Sequence, residues 1–246
     1  MLKDRGKQVI VLIIVILLGT YFLYNSFSSR FNKVPKHMEL TIFKNTKHFN
    51  ISVFGEELSE NDVKWVMNLC ESFYGRAYQW YGDQSGKEWL TIYIAKGFPD
   101  YYRTNNEMIL IPAERVKKRD SRFLAIKIAH LLTGSYKWPW YKDHIAAEGM
   151  AAYLADKYIG KRFVFQKKYE GKADLVKLDK ATYFVWKMPQ EQQDYVYAKA
   201  GAFIRYITEA YGINKIKALY ADQGEGWEKV FGHSLEELVN KWRRSY

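Results

Sequence analysis

The chain has 246 residues, 48% of them hydrophobic, with a formal net charge of +11 and one cysteine. This composition supplies one sizeable core and excludes a disordered chain, while Cys70, alone in the sequence, excludes a disulfide framework or a thiolate metal cluster. Basic charge mixed with 17% aromatics raises nucleic acid as a partner, but no basic block, RNA-binding signature or zinc finger accompanies it, so none is expected.

Val9 to Leu18, VIVLIIVILL, is apolar without a break, and Gln8 to Phe27 supplies the roughly 20 residues of helix that a bilayer requires. Lys3, Arg5 and Lys7 precede it, as in a secretory signal, but bulky Tyr21, Phe22 and Tyr24 stand where a small-residue cleavage site would be. The segment therefore reads as an uncleaved signal anchor: residues 1–7 a cytoplasmic tail, 8–28 one transmembrane helix, 29–36 a linker and 37–246 an ectodomain. Arg30, Lys33 and Lys36 balance the basic residues before the span, so flanking charge does not set the topology. A tail this short carries no domain, and the long C-terminal part is expected outside the cytoplasm on a single-pass protein of the cell membrane. In the envelope its basic charge would favour anionic lipid or anionic wall polymer.

Met38 to Phe43 (MELTIF) and Phe49 to Phe54 (FNISVF) alternate apolar and polar residues around the turn-prone KNTKH, the pattern of paired strands. Ser59 then caps a helix whose apolar positions Val63, Val66, Met67, Cys70, Phe73 and Tyr74 recur at helical spacing up to Gly82. Trp89 to Ala95 and Met108 to Pro112 read as further strands. Beyond Ser121 the pattern is helical to the end: one helix from Asp120 or Ser121 to a C-cap at Gly134, one from Asp143, one over about 190–212, and shorter ones including the capping box Ser234-x-x-Glu237. The expected class is α+β, with a small α/β lobe followed by an all-helical lobe.

Two stretches carry the chemistry. In AIKIAHLLTG, Ala125 to Gly134, His130 is one turn after Ile126, and Lys127 follows Ile126; in AAEGMAAYL, Ala146 to Leu154, Glu148 is set among small residues. The second stretch resembles the E-G-x-A-x-Y-L helix of gluzincin metallopeptidases, and the first their H-E-x-x-H helix. YVYAKAGAFIRYITEAYG, Tyr195 to Gly212, and the closing WEKVFGHSLEELVNKW are similar to the C-terminal run of the peptidase MA-like family. The resemblance covers most of residues 37–246. It implies a zincin-like fold with its cleft between the lobes, His130 and Glu148 at two metal-ligand positions, Lys127 at the general-base position, and Tyr195 or Tyr197 near the place of an assisting tyrosine.

The residues themselves argue against the family's chemistry. Ile126 stands at the first histidine and offers no lone pair, and one imidazole with one carboxylate falls short of the three protein ligands usual for catalytic zinc. The Lys127 ammonium cannot accept a proton and would repel a dication. His144 and Glu148, at i and i+4 on one helix, with His130 from the helix before, define an alternative zinc set, although His144 in a first helical turn is more simply exposed. A carboxylate among alanines needs a partner, and Lys127 and His130 are the candidates.

The reading is thus a pseudopeptidase without a cofactor, binding a peptide or envelope protein. An active metallohydrolase with altered zinc ligands and a scaffold for wall polymer are the alternatives. Trp138 to Tyr141 (WPWY) reads as a loop filler before a sugar-stacking platform, and His37, His48 and His233, in turns or at strand ends, read as solvated.

Overall fold

A computed structural model of the chain describes residues 39–55, 58–82, 89–97, 108–133, 144–159, 175–176, 190–221 and 226–245. The expected anchor, tail and linker, His37, Gly134, Asp143 and the WPWY loop lie outside these residues. Among the described residues no helix is long and apolar enough to cross a membrane.

Four strands form one sheet in the order β1 (Leu40–Asn45), β2 (Phe49–Phe54), β3 (Leu90–Ala95), β4 (Met108–Pro112). β1 runs antiparallel to β2, whereas β2, β3 and β4 are parallel. Across the parallel part, Ile51, Ile92 and Ile109 stand in register, as do Val53, Ile94 and Ile111. All six are at most 1% exposed. Each such side chain taken from water contributes about 1.5–3 kcal/mol before the entropy of ordering it is subtracted. β1 lies two residues later than the alternation MELTIF suggests, because its pairing with β2 starts at Leu40 opposite Phe54.

Between β2 and β3 the chain crosses over through α1 (Glu60–Tyr81). Ser59 and Asp62 close a reciprocal capping box at its start, and Gly82, at φ 88°, ends it where a side chain would be strained. Val63, Val66, Cys70, Phe73 and Tyr74 are buried as the periodicity requires, joined by Ala77 and Tyr81.

A short helix that the sequence pattern does not announce, α2 (Ala113–Lys117), follows Pro112. It stops at Arg119, a non-glycine residue at φ 54°, whose guanidinium is 2.9 Å from Asp62 Oδ1 and stacks over Trp65. Asp120 then accepts from the backbone N–H of Phe123 and from Arg115, opening the next helix. The entry to the candidate site is in this way pinned to α1.

Every described element from there on is a helix: α3 (Ser121–Thr133), α4 (His144–Ile159), α5 (Gln190–Tyr211), α6 (Ile213–Ala221), α7 (Trp227–Phe231) and α8 (Leu235–Arg244). α4 is central, packed against α1, α3 and α5. Ala146, Ala147, Ala151, Ala152 and Ala155 are all fully buried. Small side chains let neighbours approach closely, and at Gly149 even a methyl group would meet the backbone of α5: its Cβ would lie 2.7 Å from the Ala200 carbonyl oxygen. The Tyr220 hydroxyl, from α6, donates to the Ala146 carbonyl at 2.8 Å. The capping box at Ser234 and Glu237 opens α8 as the sequence indicates.

Candidate functional site

α3 and α4 run antiparallel, and two polar contacts fix their register. Near the end of α3, His130 Nε2 lies 3.0 Å from Glu148 Oε2, near the start of α4. Eight residues earlier on α3 and eight later on α4, Arg122 Nε donates to Asp156 Oδ1 at 2.8 Å. That offset is about 12 Å of helix on each side. The helix of small residues is what brings Glu148 this close to α3.

The pair is well enclosed: 4% of the His130 side chain and 12% of the Glu148 side chain is exposed. The pair can share one proton, with the imidazole donating through Nε2 to an ionised carboxylate. A hydrogen bond to a charged group contributes about 1.5–3 kcal/mol, and each group would be costly to bury without the other. His130, one of the two candidate partners for Glu148, is placed against it. Lys127 is half-buried and its ammonium lies 5.3 Å from the centroid of the Phe123 ring, one turn earlier. Ile126 is partly buried and packs on the core.

Two protein donors at about 2.0 Å in a tetrahedral zinc site stand roughly 3.3 Å apart, and a catalytic site has three of them. His130 and Glu148 are already in hydrogen-bond contact, and among the described residues no group of three or more His, Cys, Asp or Glu side chains is placed to hold a metal ion. His130 and Glu148 are thus two donors brought together, one fewer than catalytic zinc usually takes from protein. His144 begins α4, but its side chain lies outside the described residues.

Tyr195 and Tyr197 are both on α5, which packs against α4. Tyr195 is buried and Tyr197 is half-buried against the core. The Lys199 ammonium lies 5.8 Å from the Tyr195 ring centroid. Lys199 is itself buried, at 7% exposure, a placement that helical spacing in a mixed sequence does not disclose.

One expectation is corrected. His48 is not a simply solvated turn residue: its Nδ1 is 2.7 Å from Glu71 Oε2, with little more than a quarter of either side chain exposed. Its ring stacks on Tyr74 at 4.3 Å. Glu71 Oε1 also accepts from the Thr46 hydroxyl and from the His48 backbone N–H. Partial burial pushes the Glu71 carboxyl upward, but these hydrogen bonds outweigh it and hold the group below its ordinary value. The contact joins the β1–β2 turn to α1 across more than twenty positions of sequence, a pairing local pattern cannot reveal. His233 conforms better to expectation, partly exposed and within 4.0 Å of Glu237.

Neither a scan against protein-family models nor a search of curated protein sequences gives a match to this chain.

Proposed function

We propose that the protein is a membrane-anchored, extracytoplasmic pseudopeptidase of gluzincin type, which binds a peptide or an envelope protein in the cleft between its lobes and does not hydrolyse it. The observation that carries this reading is the direct His130–Glu148 contact. The two residues at metal-ligand positions satisfy each other, Ile126 contributes packing in place of a ligand, and Lys127 brings a cation to the position where a base would activate water. The zincin-like fold is part of the proposal. An α/β lobe followed by helices, with the two stretches AIKIAHLLTG and AAEGMAAYL on adjacent antiparallel helices, supports it. The anchor rests on the apolar run of Gln8 to Phe27.

Such a domain works without zinc. The test is the metal content of the purified full chain, together with its action on a broad peptide library. Binding of peptides with no cleavage and no stoichiometric metal is the expected result. Stoichiometric zinc with chelator-sensitive cleavage would overturn it and leave an active metallohydrolase with a changed ligand set.

A further inference from the structure

The two faces of the sheet differ, and β1 carries the difference. Residues opposite each other across a ladder share a face. Ile42, opposite Val53, therefore points toward the helices, with Ile51 and Val53. Phe43, opposite Ser52, and Leu40, opposite Phe54, point the other way. Leu40 and Phe43 are three apart and would fall on opposite faces of a regular strand. The register shift between Leu40 and Ile42 brings them together on the outer face. Leu40 is 50% and Phe43 53% exposed, two of the four large apolar residues exposed among those described. Phe54 and Tyr93 continue this face inward, their rings edge to face at 5.6 Å.

An exposed apolar residue alone means little, but two large ones brought to one face by a bulge offer an apolar patch to a partner. Sequence position indicates which. The chain reaches Leu40 through residues 28–39, twelve residues that follow the apolar run and carry Arg30, Lys33 and Lys36 against one acid, Glu39. Fully extended, twelve residues reach at most about 43 Å. β1 is thus the described element tethered closest to the bilayer that would hold the run, and the tether raises its effective concentration at that surface. The basic residues of the tether suit anionic headgroups.

We propose that the outer face of the sheet at its β1 edge docks on the anionic surface of the membrane, with Leu40 and Phe43 entering the headgroup layer. This rests on the anchor reading given above. Docking would hold the sheet to the bilayer and leave the helical half, with His130 and Glu148, to face the envelope space.

The full chain is reconstituted in phosphatidylcholine vesicles with and without phosphatidylglycerol, carrying an environment-sensitive fluorophore at Asn45→Cys. Asn45 is exposed and shares the outer face with Phe43, and native Cys70 is buried. A second label at Glu209→Cys, on exposed α5 surface, is the reference. Expected is quenching of the Asn45 label by spin-labelled lipid, several-fold above the reference and dependent on phosphatidylglycerol. Leu40→Ser with Phe43→Ser should reduce it to the reference level. If the chain stays with the vesicles through an alkaline wash while iodide reaches the Asn45 label freely, docking is wrong and the anchor stands. Protection from iodide without lipid quenching would mean that a second copy or another protein covers the face, and also overturns the proposal. Release of the chain by the wash removes the anchor, and docking with it.

Discussion

Gly149 and Ala200 meet backbone to backbone where α4 crosses α5. A Cβ on Gly149 would lie 2.7 Å from the Ala200 carbonyl oxygen and 2.6 Å from Ile204 Cγ1. Ala favours a helix over Gly by about 1 kcal/mol, but overpacking a tight contact costs about 1–3 kcal/mol and here meets backbone that cannot swing aside. Gly149→Ala should therefore lower the melting temperature. Gly75→Ala, in α1 with nothing within 4 Å of the added carbon, should raise it. Thermal unfolding of the two variants beside the parent checks the pair, and equal responses would remove close packing as the reason for Gly149.

The His130–Glu148 contact predicts a coupled loss. His130→Ala or Glu148→Ala alone leaves the other group enclosed without this partner, at a cost of about 1–3 kcal/mol each. The double variant should cost less than the two added together. Denaturant unfolding in a double-mutant cycle measures this, and additive losses would show that the contact contributes nothing.

The proposed gluzincin reading makes a sharper test possible, by supplying the two groups that its motif would have and this chain lacks. Ile126→His with Lys127→Glu places a second imidazole one turn before His130 and a carboxylate beside it, on the spacing that zinc proteases use. The restored protein should melt higher when zinc is added, since a ligand that binds only the folded state stabilises it. The parent should not change. A zinc-dependent rise in the parent, or none in a restored protein that still folds, would count against the reading.

Glu71 sets a pH dependence. Its folded-state value lies below the ordinary 4.5, so its contribution is fully present above the unfolded value and is lost as pH falls through the folded one. Glu71→Gln should cost about 1–3 kcal/mol at neutral pH, and the gap between variant and parent should close in acid below 4.5. Stability curves of both proteins from neutral to acid pH report this.

Cys70 is fully buried in α1, and burial pushes its thiol well above the usual range. The thiolate is the reactive form. Alkylating reagents should label it only after unfolding, and rapid labelling of the native protein would place Cys70 outside the core.

How much of this was readable beforehand follows from the range of each signal. β2, β4, α1 and α8 have local marks, apolar runs or capping boxes, and the structure keeps them. β1 slid by two residues because its limits depend on Phe54 in another strand. α2 is shorter than two turns, too short for a periodicity to show. The facing of His130 and Glu148 was legible through the resemblance of their two stretches to paired metal-ligand helices, and the structure places them in contact. The Glu71–His48 contact was not legible, since it depends on how the β1–β2 turn is laid against α1.

The bulge at Thr41 also bears on solubility. A sheet that ends in an open strand presents unpaired N–H and C=O groups, a template on which another chain can add itself. Here the Thr41 hydroxyl turns back to the carbonyls of Val53 and Gly55, and the bulge breaks the regular row of edge groups after one residue. Lys44, opposite Ile51 on the helix side of the sheet, places a charge where an added strand would need apolar contact, 4.0 Å from Glu60. The edge is in this way guarded against growth into aggregates. Straightening β1 by deleting Thr41 would remove that guard and promote strand-to-strand association.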